Sequence, residues 1–512
     1  MDKHTVILPT AGLGTRMGDY TKHLNKGLLP YKEKPVIAHI IDQFPIDTHF
    51  VMPVGYLADQ IKDFCAVAYS DRNITFVDVD WESNKAGTGY SLLQCKDYIN
   101  SSFWYVTCDT FFNEPVVTNT PTHDCYYVKD IPQKDSHLYT MFNTNSSNII
   151  QDITFKKDAP KDWTAWTGLM YISEWDNFFT KLNDLDDNEF IQLIQPGNMC
   201  KTLNSWLDFG SPALYQTEVA KSQKFDFSKT DEVTYICNNR VVKWWHDSTV
   251  PKKKNRKPEL NPKVFPSNCL VRGQFMAYDF FPGQTLYSFN NPVVFKELLK
   301  WLDDNVWTTV DCDLSQSAML FYKDKTLGRI EKFLDKYPVL QNITHVNGTK
   351  IKPYLEYLDN INWQYLSTNT LPSFIHGDLQ FDNIIVNNSG DFLLIDWRHD
   401  FADVVDYGDI YYDLAKMAGG FIINYASVKQ HNFDFVICGT EVTVKTPNID
   451  EINTYQQILK EFVYSKGWDY KKVQQLIPII FWNMSPLHTA PFDMFLWYLG
   501  IKLFEDLEND HY

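Results

Sequence analysis

The chain has 512 residues and a formal net charge of −17, which excludes the positive surface field that nucleic acids and anionic membranes require. That length implies roughly two to four domains. With 44% hydrophobic and 15% aromatic residues there is ample material for packed interiors, so no long stretch reads as disordered.

The N-terminus runs from Met1-Asp2-Lys3-His4 straight into a β-rich segment, with no apolar leader pattern. Short β-rich runs then alternate with helical ones. Thr5–Pro9, Phe50–Val54, Ile74–Val77 and Phe103–Thr107 read as strands, and Val36–Phe44, Leu57–Ala66 and Gly89–Tyr98 as helices. This alternation predicts a parallel sheet covered on both faces, with ligands collecting beyond the carboxyl ends of the strands. Near residue 222 the character changes. Glu232–Cys237 and Arg240–Trp245 flank Asn238-Asn239 and read as a β-hairpin. The basic run Lys252-Lys253-Lys254-Asn255-Arg256-Lys257 reads as a solvated loop, with an anion-attracting rim as the alternative. Beyond Pro292 the pattern is mainly helical, broken by a strand pair at Ile384–Val386 and Phe392–Ile395. Ile477–Trp482 and Phe495–Phe504 are apolar but too short to span a bilayer. Nine scattered cysteines without a Cys-x-x-Cys pair argue against a disulfide framework or zinc knuckle. A soluble, cytoplasmic protein is the expectation.

Two motif sets carry the chemistry. The first is Ala11-Gly12-Leu13-Gly14-Thr15-Arg16-Met17 directly after the first strand, followed by Lys26-Gly27-Leu28-Leu29-Pro30. Glycines in a strand-to-helix turn let backbone N–H groups approach phosphate oxygens, and no lysine stands where a P-loop would need it. The second is His376-Gly377-Asp378-Leu379-Gln380-Phe381-Asp382-Asn383, with Asp396 thirteen residues further at the end of a strand. An aspartate, an asparagine five residues on and a later strand-terminal aspartate are the parts a kinase uses as base and Mg²⁺ ligands.

The first set resembles the sugar-phosphate and phosphocholine nucleotidyltransferases, although Asn25 stands where that pattern usually has proline. The likeness continues through Lys34-Pro35-Val36-Ile37, Gly55-Tyr56, Gly87-Thr88-Gly89, Cys108-Asp109, Thr167-Gly168 and Trp206-Leu207-Asp208. It implies in-line attack of a substrate phosphate on the α-phosphorus of an NTP, with pyrophosphate leaving. Arg16 is then expected on the β and γ phosphates, and Lys26 at the α-phosphate and the incoming phosphate. Nucleotide contacts are implied for Ala11, Gly12, Gly14, Thr15, Gly87 and Thr88, the last two reading base and ribose. Asp109 and Asp208 are implied as Mg²⁺ ligands, and Gly168 as a substrate contact.

The second set resembles the aminoglycoside phosphotransferase and choline kinase superfamily, with His-Gly-Asp and Ile-Asp-Trp in its two motifs. Asp378 is implied as the base, Asn383 and Asp396 as Mg²⁺ ligands, and His376 as an orienting group. Lys243 is the candidate for the ATP phosphates, with Glu259 as its partner and Ser228-Lys229-Thr230 as the covering turn. Phe275–Asp279 is the expected adenine-binding hinge. Trp397 and Arg398 are expected at the acceptor, with Tyr411, Tyr412, Asp413 and Trp482 as further candidates for holding a quaternary ammonium; core packing is the alternative reading of Trp397 and the tyrosines. Arg398 directly after Asp396-Trp397 disfavours a cationic acceptor and points to a sugar, polyol or anionic alcohol.

The expected fold is therefore α/β: a Rossmann-like nucleotidyltransferase domain over 1–222, then a two-lobed kinase-like domain over 223–512, its small lobe about 223–285 and its helical lobe about 286–512. The expected function is bifunctional: ATP phosphorylates a small hydroxyl compound, and CTP or UTP then activates the resulting ester, with Mg²⁺ at both sites. Resemblance alone suggests use in a surface polysaccharide. The alternatives are choline phosphorylation followed by cytidylyl transfer, antibiotic modification, or a non-catalytic binding module in one half. Small-molecule substrates are the expected partners, with no nucleic acid or membrane insertion, and homo-oligomer formation stays open.

Overall fold

The computed structural model describes residues 4–83, 86–185, 190–222, 231–289, 291–337, 342–428, 433–446 and 449–509. Its contacts divide the chain into two units. The first comprises Met1–Gln223, Glu232–Ser248 and Val271–Ala277; the second comprises Lys224–Asp231, Thr249–Leu270 and Tyr278–Tyr512.

The first unit is built on a nine-stranded mixed sheet. Strand β1 (Thr5–Ile7) is central and wholly buried, as a continuous β-branched run should be when both faces are covered. It pairs in parallel with β2 (His49–Val54) on one side, and β2 pairs in parallel with β3 (Asn73–Asp78). On its other side β1 pairs in parallel with β4 (Phe103–Val106). Helices α1 (Val36–Ile41), α2 (Ala58–Ala68) and α3 (Thr88–Gln94) make the crossovers. In α2 the apolar positions Ile61, Phe64, Cys65 and Ala68 recur at helical spacing and are all buried.

Past β4 the expected all-parallel sheet gives way to antiparallel pairing. The connections among β6 (Cys125–Lys129), β7 (Thr140–Thr144), β8 (Ile150–Phe155) and β9 (Thr164–Ile172) contain no α-helix, and short returns permit only antiparallel neighbours. Strand β5 (Thr110–Phe111), which leaves β4 by way of Cys108-Asp109, pairs separately with β11 (Leu207–Asp208), while β10 (Met199–Thr202) runs parallel to β6.

The predicted hairpin is present as β12 (Glu232–Cys237) and β13 (Arg240–Trp245), with Asn238 at φ 48° and Asn239 at φ 56° as a type I′ turn demands. It forms a four-stranded sheet with β14 (Leu270–Arg272) and β15 (Phe275–Asp279). The hairpin does not break away from the preceding 222 residues. Tyr235, Cys237, Val242 and Trp244 share one core cluster with Leu28, Phe64 and Phe275. Tyr235 Oη donates to Leu28 O at 2.6 Å, and Ile236 N donates to Glu33 O at 2.6 Å. The contact division thus runs through the stretch expected to be the small lobe of the second domain.

In the second unit the basic run is not a solvated loop. It forms α4 (Val250–Leu260), entered through Pro251, and buries Lys254 and Lys257 on one side while Arg256 pairs outward with Asp406. A three-stranded antiparallel sheet follows, from β16 (Gln284–Thr285), β17 (Ile384–Val386) and β18 (Phe392–Leu394). Helix α5 (Lys325–Lys336) is amphipathic, burying Ile330 and Phe333. Every residue of α6 (Ile410–Ile422) is buried, the pattern of a helix packed on all sides. Helices α7 (Tyr470–Met484) and α8 (Phe492–Glu508) complete this helical layer. None of the nine cysteines forms a disulfide. No helix among the described residues is long and apolar enough to cross a membrane.

Candidate functional site

In the first unit a cleft of about 480 Å³ opens at the carboxyl ends of β1 and β4. Its walls include Ala11, Gly12, Gly14, Thr15, Arg16, Lys26, Gly87, Thr88 and Asp109, so the cleft gathers every residue expected on the nucleotide of the first motif set, while Lys243, expected on the ATP phosphates and also in this unit, is not among them. Gly14 sits at φ 64°, and a Cβ there would press to 3.1 Å from Thr21 Cγ2. At Gly12 a Cβ would meet nothing, so the glycine leaves open space on the cleft side. Arg16 is exposed and available to a ligand, and Gly87 precedes α3.

Lys26 is held in place by a residue the sequence pattern marked as a departure. Asn25 is fully buried; its Nδ2 donates to Thr10 O at 3.0 Å and Tyr56 O at 2.9 Å. Its Oδ1 accepts from Gly27 N, and its own N–H donates to Gln60 Oε1 at 2.9 Å. The turn that follows delivers the Lys26 ammonium to the Asp109 carboxylate as an ion pair. Strand pairing places Asp208 opposite Thr110, so the two aspartates are neighbours, and a Cβ added to Gly210 would approach both carboxylates. Asp208 accepts from Tyr139 Oη at 2.9 Å and Gly210 N at 2.6 Å.

The two carboxylates differ in proton affinity. Burial and the charge of Asp109 raise the Asp208 pKa. Burial also acts to raise Asp109, but the Lys26 ammonium outweighs it and holds Asp109 below the usual carboxylate range. Two adjacent half-buried carboxylates form a hard-oxygen donor pair that fits Mg²⁺. Among the described residues no three His, Cys, Asp or Glu side chains cluster as a metal cage.

Gly168, expected at the substrate, lies behind this strand at φ 84°. A Cβ there would fall 2.3 Å from Thr107 Oγ1, so its close approach is to the segment carrying Asp109. Lys243 is 5% exposed on β13 and pairs with Glu232 at 3.3 Å. Its expected partner Glu259 instead binds Asn255 and Arg256. Ser228-Lys229-Thr230 lies outside the described residues.

In the second unit the 376–383 loop is pinned from beneath. Buried Asp413 of α6 accepts from His376 N at 2.8 Å, Gly377 N at 2.6 Å and Trp307 Nε1 at 3.2 Å. Lys257 of α4 donates to Ile375 O at 2.7 Å and His376 O at 3.1 Å. His376 Nδ1 accepts from Asp378 N while Nε2 faces Ile395 O at 2.8 Å, which fixes the Nε2–H tautomer. Burial, with Lys257 nearby, pushes the imidazole down to about 3, so it is neutral and structural. Asn383 commits Nδ2 to Asp378 O at 2.8 Å, leaving its carbonyl oxygen for a cation. Asn383 O also accepts from Ile395 N at 2.9 Å, which brings Asp396 alongside. Asp396 adopts φ 57°, a strained conformation for a residue with a side chain, of the kind that collects at functional sites. Asn383 and Asp396 are oxygen donors of the kind that fit Mg²⁺.

Asp378 Oδ1 lies 2.7 Å from Lys416 Nζ. Burial would raise the Asp378 pKa, but Lys416 and then Arg398 hold it well below the usual range. Lys416 was not foreseen, because a lysine in the middle of a wholly buried helix carries no motif.

Several expected acceptor contacts are corrected. Trp397 is 1% exposed, packs on Phe265 and donates its indole N–H to Lys254 O at 2.7 Å, so it is a core residue. Trp482 is fully buried and bound to Trp497 O, and Asp413 serves the loop backbone. Tyr411 accepts from Asp469 N and lies under the Lys472 ammonium. These groups form no box for a quaternary ammonium. Arg398 remains beside the loop, its Nε donating to Gly377 O at 3.3 Å.

The N-terminal region is similar to nucleotidyltransferases of sugar-phosphate metabolism. The bifunctional protein GlmU of Methanocaldococcus jannaschii is 24% identical over 252 residues, 46% of this chain and 58% of that protein. The UTP--glucose-1-phosphate uridylyltransferase AglF of Haloferax volcanii is 25% identical over 171 residues, 32% of this chain and 69% of that protein. The chain spans about a quarter of the GlmU of Methanococcus vannielii, at 28% identity over 114 residues. Among solved structures, the CTP:phosphocholine cytidylyltransferase LicC of Streptococcus pneumoniae covers 43% of this chain with all of its own, at 17% identity and a TM-score of 0.36. No family model matches the chain.

Proposed function

We propose that the first unit transfers a nucleotidyl group from CTP or UTP to a phosphate monoester, and that the second unit makes such an ester from ATP and a small alcohol. The observation that carries the reading is the convergence of Lys26, Asp109 and Asp208 at the cleft that holds the glycine-rich turn. Similarity to the UTP--glucose-1-phosphate uridylyltransferase AglF favours a sugar phosphate as acceptor and UTP as donor.

In the first unit a phosphate oxygen of the ester attacks the α-phosphorus, and the bond from that phosphorus to the β-bridging oxygen breaks. Pyrophosphate departs with that electron pair. Lys26 neutralises the developing charge on the α-phosphoryl oxygens, and Arg16 binds the leaving phosphates. Asp109 and Asp208 would hold Mg²⁺, which supplies further charge neutralisation at the α-phosphate when bound.

In the second unit the alcohol oxygen attacks the γ-phosphorus of ATP, the bond to the β–γ bridging oxygen breaks, and ADP leaves. Asp378 receives the hydroxyl proton, and Asp413, His376 and Lys257 keep its loop in register. Asn383 and Asp396 would hold Mg²⁺ against the phosphates. Both halves retain their charged groups, which disfavours a non-catalytic binding module. The buried positions of Trp397 and Trp482, with Arg398 at the loop, disfavour choline. The acidic composition makes a nucleic-acid substrate unsuitable, and cytoplasmic action on small molecules is the setting we propose.

The test is incubation of the full chain with ATP, CTP or UTP, Mg²⁺ and a panel of alcohols and sugar 1-phosphates, followed by mass spectrometry. Pyrophosphate release with a sugar 1-phosphate and an NDP-linked product are the expected results. Absence of any nucleotidyl product across the panel overturns the first assignment, and absence of any phosphate ester overturns the second.

A further inference from the structure

Beside Asp378 lies a group of cations that the transfer chemistry itself does not use. Lys325 Nζ of α5 sits 4.1 Å from the centre of the Phe321 ring, and Arg398 Cζ sits 5.0 Å from the same ring. Arg398 reaches the catalytic loop at Gly377 O, and a Cβ on Gly377 would fall 2.7 Å from Arg398 Cβ. Arg329, one turn beyond Lys325, donates to Asn483 O at 2.9 Å. The next residue, Met484, has its sulfur 3.8 Å from Lys416 Nζ. Four cations from α5, α6 and the segment after β18 therefore border one small region.

The carboxylates that act on this group, Asp378 and Asp400, have closer partners. Asp378 is engaged by Lys416. Asp400 is shared between Lys253 at 3.4 Å and His399 at 3.3 Å. Among the described residues no carboxylate forms an ion pair with Lys325, Arg329 or Arg398. A largely buried ammonium flanked by like charges is unfavourable unless an anion arrives. Burial, with Arg398 and Arg329 nearby, pushes the Lys325 pKa down to about 5, the state that a bound anion would reverse.

We infer that the alcohol phosphorylated by the second unit carries its own anionic group, a carboxylate or a phosphate, seated against Lys325, Arg329 and Arg398. The inference rests on the kinase reading of this unit. The ATP phosphates would be served by Mg²⁺ at Asn383 and Asp396. The cations instead meet the loop at Gly377 and at the Asp378 carboxylate, the group that faces the acceptor hydroxyl. This geometry fits an acceptor whose negative group is fixed by the cations while its hydroxyl meets Asp378.

The full chain is assayed for ADP release with four acceptors: glycerate, glycerol 3-phosphate, glycerol and choline. At least one of the two anionic acceptors is expected to exceed glycerol and choline in kcat/KM by about tenfold or more, and the better of the two identifies carboxylate or phosphate. Comparable turnover of glycerol or choline overturns the inference. Lys325→Met is expected to raise acceptor KM by about tenfold with ATP KM changed less than about twofold, and Lys325→Arg to restore it. The Met variant is also expected to unfold at no lower temperature, because it replaces an amine that burial among like charges already disfavours. A rise confined to ATP KM overturns the inference. Calorimetric titration of glycerate and of inorganic phosphate separates this claim from the kinase reading. If no acceptor turns over, binding by the native chain that is lost in Lys325→Met still supports the anion site, and binding that is absent or unchanged sinks it.

Discussion

Asn25 shows how a single departure from a motif is absorbed. Its φ of −59° is one a proline could adopt, so the backbone alone does not demand asparagine. Asparagine is required by the three side-chain hydrogen bonds to Thr10, Tyr56 and Gly27, and a fourth, from its backbone N–H to Gln60, is one that proline cannot make. Asn25→Pro is therefore expected to destabilise the first unit by about 2–4 kcal/mol, since it strands buried partners without relieving strain. The denaturant midpoint is the measurement, and a neutral result would show that the turn is held by something else. Lys416 makes a different residue-scale prediction. Asp378 acts as a carboxylate, and against the upward push of burial Lys416 is the largest influence keeping it ionised. Removing the lysine leaves burial opposed mainly by Arg398, so protonation occurs at higher pH. The acid limb of the kinase kcat/KM profile in Lys416→Met is expected to move to higher pH, and an unmoved limb would show that the ion pair does not govern this proton. The grouping of Asp378, Asn383 and Asp396 was legible in the sequence because they lie within one short stretch of chain. Asp413, Lys257 and Lys416 were not, because they come from distant helices and act through backbone groups of the loop.

At the scale of elements, the parallel strands and their crossover helices could be read from periodicity, since continuous buried runs alternate there with helical faces. The basic run was misread because its charge suggested solvent. Helical spacing puts Lys254 and Lys257 on one side of α4, where their ammonium groups bind carbonyl oxygens of Trp397, Ile375 and His376. Pro251 was the available signal for a helix start, while Pro258 argued against its continuation. The hairpin was recognised as a hairpin, yet its allegiance was not legible, because nothing local states which core takes Tyr235 and Trp244. Fully burying an aromatic side chain contributes roughly 2–3 kcal/mol, and the hairpin places Tyr235, Val242 and Trp244 in the first unit's core. A fragment ending at residue 222 would expose the seat of that hairpin. It is expected to unfold at lower denaturant than a fragment extending to residue 280, by thermal or chemical melt. Equal midpoints would mean that the hairpin adds nothing to this core.

For the whole molecule, the chain's excess of negative charge sets its active groups apart. Nucleotides and phosphate esters are anions, so on the proposed reading they would be drawn to Arg16 and Lys26 at one site, and to Lys325, Arg329 and Arg398 at the other. If the second reaction supplies the first, the two must fail separately and in order. Lys26→Ala removes charge stabilisation from nucleotidyl transfer and is expected to lower that rate by about 10²-fold or more. It should leave phosphorylation intact, so the phosphate ester accumulates from alcohol and ATP. Asp378→Ala is expected to stop ester formation by a comparable factor, yet to give full NDP-linked product when the ester is supplied directly. Mixing the two variants with alcohol, ATP and CTP or UTP should then restore product formation, because a free ester made by one chain is the substrate of the other. Mass spectrometry of the ester and the NDP-linked product follows all three conditions. If Asp378→Ala still needs more than the ester to form product, or Lys26→Ala accumulates none, the two sites do not form the proposed sequence.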